Sequence, residues 1–357
     1  MDKTSKILKY LGEKNIDAVI ITKPSNMRYF TNYCGDTGQI IITKNNDKVL
    51  ITDSRYTTQA SVETNDIEVV DVGTLRNYGS ALNKFLDKFG VKVVGIESSF
   101  ISYSMYKSYK NELKNKELIE LEEDLDKLRR IKTEEEIKYL EMAEHIGDIA
   151  FSKIIDIIKP GMTEIEIANH IEFIMKSNGA LKTSFDTIVA SGENSSKPHA
   201  IPSNRKVGKG DFITMDFGCI YEGYCSDMTR TVIIGEPTKE QRKVYDTVLE
   251  ANLKALEAIK AGVIGSDIDK IARDIIYNAG YEGKFGHGLG HSVGLEVHEN
   301  PRFSPTCNEE ILENVIMTVE PGIYLENKYG VRIEDMILVT KTGYINFAKS
   351  NKELIIL

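Results

Sequence analysis

The chain has no tryptophan, eight prolines in 357 residues and four cysteines, none of them in a Cys-x-x-Cys pair. The missing tryptophan accompanies many Lys, Asn and Ile residues; it is a compositional habit and excludes no chemistry. Cys34, Cys219, Cys225 and Cys307 are too few and too scattered for a disulfide framework or a thiolate-rich zinc site. They read as reduced thiols of a cytoplasmic protein. No basic stripe occurs and the net charge is −9, which argues against nucleic acid as a partner. Residues 1–21 mix Lys, Asp, Glu and Asn with apolar positions, so neither a signal peptide nor a membrane span is expected there. Hydrophobic content of 41% and charged content of 28% are those of an ordinary soluble chain. Its length makes two domains the natural expectation.

The first third alternates helical and strand patterns. Residues 3–14 carry apolar side chains at helical spacing, and Asp17–Thr22 is a short β-rich run. Gln39–Thr43 and Lys48–Thr52 flank the turn Asn45-Asn46-Asp47 and predict a hairpin. A helix over Asn77–Phe89 and a buried strand over Val91–Ile96 follow. The charged stretch Glu117–Asp126 reads as solvated surface or linker. An α/β domain over residues 1–124 is therefore expected, followed by a second domain over 125–357.

The second domain is internally duplicated. Ala150, Lys153, Asp156, Lys159 and Gly161 recur 101 residues later as Ala251, Lys254, Glu257, Lys260 and Gly262. The match continues through Glu166, Ile167, Ile174 and Gly179 against Asp267, Ile268, Ile275 and Gly280. Each copy reads as a helix, a glycine turn and a second helix, with Ile167, Ile171 and Ile174 on one face in the first copy. The strands that follow also correspond. Thr214-Met215-Asp216-Phe217-Gly218 parallels Thr318-Val319-Glu320-Pro321-Gly322, and Asp227-Met228-Thr229 lies opposite Glu334-Asp335-Met336.

The four acidic residues Asp216, Asp227, Glu320 and Glu334 are thus two pairs related by the repeat. A pseudo-symmetric sheet would bring both pairs to one axis. A carboxylate in an apolar strand is costly to bury unless it meets a cation. With His291, from Gly286-His287-Gly288-Leu289-Gly290-His291, the set suits two hard or borderline divalent cations, Mn²⁺ or Co²⁺ first and Zn²⁺ next. Two such ions about 3.5–4 Å apart can clamp a water, lower its pKa and aim it at a carbonyl. That is hydrolytic chemistry. His199 and His298 lie in further proline- or glycine-marked segments, whereas His145 and His170 sit in helical patterns and read as structural. His298-Glu299 does not begin a zincin helix, because position 302 is Arg.

These motifs together resemble the pita-bread metallopeptidase family, peptidase M24, which includes Xaa-Pro dipeptidases, Xaa-Pro aminopeptidases and methionine aminopeptidases. The segments carrying the resemblance are Met215-Asp216-Phe217-Gly218, Ser226-Asp227-Met228-Thr229-Arg230-Thr231, the double-histidine segment, Val319-Glu320-Pro321-Gly322-Ile323-Tyr324 and Arg332-Ile333-Glu334-Asp335. Asn26-Met27-Arg28-Tyr29-Phe30-Thr31 and Asp53-Ser54-Arg55-Tyr56 are similar to the creatinase/prolidase N-terminal domain, and Leu128–Ile137 to the opening of the catalytic domain. The resemblance covers essentially the whole chain. It implies a creatinase/prolidase-like α/β N-terminal domain plus a pseudo-two-fold pita-bread catalytic domain, α/β (α+β) overall.

It also implies roles. Asp216 would chelate one metal, Asp227 and Glu334 would bridge both, and His291 and Glu320 would complete one shell, Glu320 also carrying the proton to the leaving nitrogen. His199 and His298 would contact substrate and stabilise the oxyanion. His287 would support the ligands from behind. Apart from the resemblance, Arg332 stands two residues before Glu334 on a strand, so it faces the same side and is expected to orient the ligand carboxylates. Arg302 reads either as a clamp for a dipeptide's terminal carboxylate or as a surface or intersubunit arginine. The implied substrates are Xaa-Pro dipeptides, with N-terminal Xaa-Pro peptides as the alternative; the implied assembly is a homodimer. A non-catalytic binding protein on the same scaffold is the remaining rival, and relatives of that kind lose ligands that this chain keeps.

Overall fold

The computed structural model describes residues 3–73 and 77–357. Its packing divides into two compact units, Met1–Arg129 and Arg130–Leu357.

In the first unit α1 (Lys3–Lys14) buries Ile7, Tyr10 and Leu11, the i, i+3, i+4 stripe that the sequence shows. Six strands follow: β1 (Ala18–Ile21), β2 (Gln39–Thr43), β3 (Lys48–Thr52), β4 (Glu68–Asp71), β5 (Val93–Ile96) and β6 (Glu117–Glu120). They form one mixed sheet in the order β4-β3-β2-β1-β5-β6. The expected hairpin is β2–β3, paired antiparallel from Gln39↔Ile51 to Ile42↔Lys48. Five helices flank the strands after α1: α2 (Pro24–Thr31), α3 (Thr57–Glu63), α4 (Tyr78–Lys88), α5 (Tyr103–Glu112) and the single turn α6 (Asp124–Lys127). The helix expected over Asn77–Phe89 is α4, whose cap is the Asn77 side chain accepting from the Ser80 amide.

One expectation is corrected here. Glu117–Asp126 is no solvated linker: Glu117–Glu120 is the parallel edge strand beside β5. Its outer glutamates stay exposed, which is how edge strands avoid further pairing. Asp126 is tied to Lys23 at 2.8 Å and to Asn26 at 2.8 Å.

The second unit is built twice over. Helices α7 (Glu134–Ile157) and α8 (Glu164–Ser177) form the first half's layer, α9 (Lys239–Ala258) and α10 (Gly265–Ile276) the second's. The glycine turns between them match in backbone, with φ +93° at both Gly161 and Gly262. Only glycine adopts that conformation without strain. In α8 the buried face includes Ile167, Ile171 and Ile174.

The first half's strands are β7 (Lys182–Thr183), β8 (Ile188–Ser191), β9 (Phe212–Phe217), β10 (Cys219–Tyr221), β11 (Tyr224–Cys225) and β12 (Met228–Ile233). The second half's are β13 (Gly290–Ser292), β14 (Glu299–Phe303), β15 (Ile316–Val319), β16 (Gly322–Leu325), β17 (Tyr329–Arg332), β18 (Asp335–Val339) and β19 (Tyr344–Asn346). Antiparallel β9–β12 in one half corresponds to antiparallel β15–β18 in the other. The halves meet where Glu334 donates its amide to Thr229 O at 3.0 Å and Thr231 donates its hydroxyl to Arg332 O at 2.8 Å. Each half has its own apolar core between helices and strands, around Phe217 and Ile171 in the first and Phe212, Leu256 and Met317 in the second. No helix among the described residues is long and apolar enough to cross a membrane.

A candidate dinuclear metal centre

The central strands bring the acidic pairs together. Asp216 projects from β9 opposite Thr229 of β12, and Asp227 immediately precedes β12. Glu320 follows β15 directly, and Glu334 sits between β17 and β18. His291 lies in the middle of β13. All five side chains line one cavity of about 750 Å³, together with His199, His287, His298, Arg302 and Arg332.

Asp227, His291 and Glu334 each offer a ligand atom, and these atoms lie within 4.8 Å of one another. His291 Nε2 stands 3.5 Å from Asp227 Oδ2 and 3.4 Å from Glu320 Oε1. Its Nδ1 is 3.1 Å from Ser292 O, which fixes the ring and leaves Nε2 aimed at the carboxylates. Asp216 is drawn aside: its Oδ2 pairs with Arg332 Nη2 at 2.5 Å.

The electrostatics are those of a site that needs cations. Burial, then repulsion from Glu334 and Asp216, holds Asp227 well above the usual carboxylate range. Glu334 is likewise held high by burial and by Glu320 and Asp216. Glu320 is pushed up to about 8, chiefly by burial. Burial, then the neighbouring His298, drives His291 down to about 3, so it is a neutral donor. Two buried carboxylate oxygens, Asp216 Oδ1 and Glu334 Oε1, have no hydrogen-bond partner. Buried carboxylates crowded round a neutral imidazole, with lone pairs unused, fit divalent cations and little else.

Around this cluster the structure shows partners that the sequence pattern does not. Thr229 donates its hydroxyl to Glu334 Oε2 at 2.7 Å, and Thr318 accepts the His291 amide at 3.1 Å. Tyr324 links two residues expected to act separately: its hydroxyl is 2.8 Å from Arg332 Nη1 and 2.9 Å from His287 Nε2. His287 therefore reaches the carboxylates through Tyr324 and Arg332. Its own pKa is lowered to about 4 by burial and then by Arg332. Arg332 bonds Asp216 and Thr229; no bond joins it to Glu334, two residues further along. Tyr324 was legible in principle, standing within the Val319–Tyr324 motif.

His298 packs edge-on against His291, ring centroids 4.5 Å apart, and its pKa is lowered by burial and then by Arg302. Glu299, the next residue, forms a buried ion pair with Lys132 at 2.9 Å, which nothing local in the sequence signals. His199 and Arg302 are exposed on the cavity wall. Phe185, Ile188, Pro198 and Ile201 give that wall an apolar side.

Comparison with known proteins agrees with this geometry. Residues 138–341 match the model of metallopeptidase family M24, and residues 3–131 match the creatinase/prolidase N-terminal domain. A Pyrococcus horikoshii protein named Xaa-Pro dipeptidase is 39% identical over 99% of both chains. A solved structure described as an Xaa-Pro dipeptidase from Bacillus anthracis superposes with a TM-score of 0.95 at 41% identity, over 99% of each chain. One described as an X-Pro aminopeptidase from Thermotoga maritima reaches 0.91 at 38% identity, over 100% of each. The repeated strands, the convergent carboxylates and these full-length matches place the chain in metallopeptidase family M24, with a creatinase/prolidase-type N-terminal domain.

Proposed function

We propose that this protein is a dinuclear-metal exopeptidase that hydrolyses the Xaa-Pro bond, acting principally as an Xaa-Pro dipeptidase. The observation that carries the reading is the convergence of Asp216, Asp227, His291, Glu320 and Glu334 on one cavity that also presents His199, His298 and Arg302. The five would hold two divalent cations, Mn²⁺ or Co²⁺ given a carboxylate-rich set with one imidazole. Such a pair supplies an activated water and polarises the scissile carbonyl. Asp216, Asp227, His291, Glu320 and Glu334 would hold the ions, with Arg332 orienting Asp216.

The chain's other groups supply the remaining steps. His298 and His199 donate to the carbonyl oxygen as it gains charge. Glu320 has the most accessible side chain of the ligand carboxylates, 17% against 12% for Asp216 and 6% for Asp227. It takes the proton of the attacking water and passes it to the leaving nitrogen. That nitrogen is the proline imide, which has no N–H to offer a binding site. Arg302 anchors the terminal carboxylate of a dipeptide through its planar fork. We further infer a cytoplasmic homodimer, the first from cysteines too few and too scattered for a disulfide framework and the second from the family resemblance.

The test is hydrolysis of Met-Pro, Ala-Pro and a longer Xaa-Pro peptide, after EDTA treatment and re-addition of Mn²⁺ or Co²⁺. Cleavage of dipeptides alone is the expected result. Cleavage of the longer peptide would favour the second reading, an Xaa-Pro aminopeptidase, which the likeness to the Thermotoga structure supports. No metal-restored activity on any of the three overturns both.

A further inference from the structure

The segment that carries His199 is anchored by a residue outside every motif. Glu164 opens α8, directly after its Thr163 cap, and is fully buried. A buried carboxylate ordinarily faces a cation. Every hydrogen-bond donor to this one is neutral, and Arg205 acts on it from behind Ser191, whose Oγ its Nη1 reaches at 2.8 Å. Its Oε1 accepts from the Ser191 amide and the Ser191 hydroxyl, each at 2.7 Å. Its Oε2 accepts from the Ser203 amide at 3.0 Å and the Ser203 hydroxyl at 2.6 Å. Asn194 Nδ2 lies 3.2 Å from both oxygens. The positive end of the α8 dipole also favours the charge.

Ser191 ends β8, and Ser203 stands where the chain returns towards β9. One carboxylate therefore joins both ends of the intervening loop, whose residues Pro198, His199, Ala200, Ile201 and Pro202 line the cavity. Between the ends, the Gly330 amide donates to Ser195 Oγ at 2.9 Å, and Arg332 Nη1 reaches Pro198 O at 3.4 Å. Ile201, at the tip, is 85% exposed, so packing does not hold it.

We propose that Glu164 is a positioning residue: by bonding both ends of the loop 191–203 it fixes where His199 stands in the cavity. It thereby sets a contact to substrate and leaves metal binding alone. The proposal rests on the hydrolytic reading above. The other half of the unit reaches the same end differently. The residue 101 positions on is Gly265, where a Cβ would lie 2.3 Å from Arg302 O, so no side chain can act from that site. There the histidine-bearing segment is anchored by Glu299, next to His298, through Lys132.

Glu164→Gln keeps the shape but points an amide N–H₂ at one pair of donors, releasing one end of the loop. The experiment is a double-mutant cycle of Glu164→Gln with His199→Ala on kcat/KM for Ala-Pro, with Mn²⁺ affinity measured by calorimetry. Because the chain has no tryptophan, Ile201→Trp adds a single fluorophore whose acrylamide quenching reads loop order. Glu164→Gln is expected to lower kcat/KM about tenfold or more, to leave Mn²⁺ affinity unchanged and to raise quenching. In the His199→Ala background it should cost nothing further, since coupled residues are non-additive.

Additive losses, unchanged kcat/KM, or Mn²⁺ affinity falling in step with activity would each overturn the proposal. Should Glu164→Gln fail to fold, Ser203→Ala removes one bond to Oε2. A smaller loss that vanishes in the His199→Ala background supports the proposal; an additive or absent loss overturns it. A wild-type chain inert towards every peptide defeats the hydrolytic reading instead, and the quenching result alone then decides whether Glu164 anchors the loop.

Discussion

The two halves of the catalytic unit share a backbone plan and differ in how they stabilise it. Both place a helix pair over antiparallel strands, turn at a glycine of φ +93° and deliver two carboxylates to the centre. The first half's inner carboxylate, Asp216, is neutralised by Arg332 from the other half. Its counterpart Glu320 feels Arg332 only at a distance, without a direct ion pair, and burial pushes it up to about 8. The histidine-bearing segments differ in the same way, one fastened to Glu164 by neutral donors and the other to Lys132 by an ion pair. Duplication set the position of the ligands; charge balance was then solved separately on each side of the axis.

The largest expected effects come from removing Asp227 or Glu334, two of the carboxylates proposed to hold the metal ions. Asp227→Asn and Glu334→Gln should each abolish Mn²⁺ binding by calorimetry and lower kcat/KM by three orders of magnitude or more, on the order expected when an activated water is lost. The inner pair should separate the halves. In metal-stripped protein, Asp216→Asn strands a buried Arg332 and should lower the melting temperature. Glu320→Gln removes a carboxylate that burial already disfavours and should raise it at alkaline pH. Equal and same-signed shifts would show that the asymmetry has no energetic weight.

The pH dependence follows with its sign. Asp227, Glu334 and Glu320 have folded-state pKa values raised above the unfolded range, so the stripped native state binds protons more tightly than the unfolded chain. Their contribution to stability is fully present below the unfolded pKa, about 4, and is lost as pH rises through about 8 for Glu320. Melting temperature of EDTA-treated protein should therefore fall between pH 5 and 9, in that window. Saturating Mn²⁺ should flatten or reverse the trend, because protons then compete with the metal. A stripped protein that grows more stable as pH rises would contradict the electrostatic account.

Lys132→Met tests the second half's anchor. It leaves Glu299 buried without its cation, and breaking such a pair costs about 3–5 kcal/mol. Urea unfolding should show the loss, and kcat/KM should fall through the displaced His298. Gly265→Ala is a gentler probe of the same side. Its Cβ would meet Arg302 O at 2.3 Å and Cys307 Sγ at 2.8 Å, forcing β14 to shift. A cost of about 1–3 kcal/mol is expected from such overpacking, with a rise in KM for dipeptides as Arg302 moves.

Much of this site was legible because its signals are local. The carboxylates stand in short motifs repeated within one chain, the histidines lie between glycines or prolines, and the Gly161 and Gly262 turns recur at one spacing. The unread partners depend on contacts between distant segments. Arg332 meets Asp216 across 116 positions and Lys132 meets Glu299 across 167. Spacing along one strand set Arg332 on the side of the ligand carboxylates, but which of them it meets depends on the crossing of the halves, which pairs it with Asp216. Glu117–Glu120 escaped as a strand because an edge position needs only Leu118 and Ile119 to pair and pack, leaving charge at both ends. Glu164 is in sequence one more first-turn acid beside the Thr163–Glu166 capping box, and only the loop folded over it shows its six contacts.

The smallest expected difference between the halves lies at the starts of their second helices. Before α8, Thr163 accepts from the Glu166 amide while Glu166 bonds back to the Thr163 amide, a complete capping box. Before α10, Ile264 occupies the same place and offers no side-chain cap. Thr163→Ala should therefore cost about 1 kcal/mol, and Ile264→Thr should recover part of that amount for the other half, since it supplies the missing acceptor. Opposite signs in urea unfolding would confirm that the duplication left one helix start less complete than the other. A loss in both would mean that the half-buried Ile264 contributes more by packing than a hydroxyl could by capping, and that the second half had already replaced one stabilising device with another.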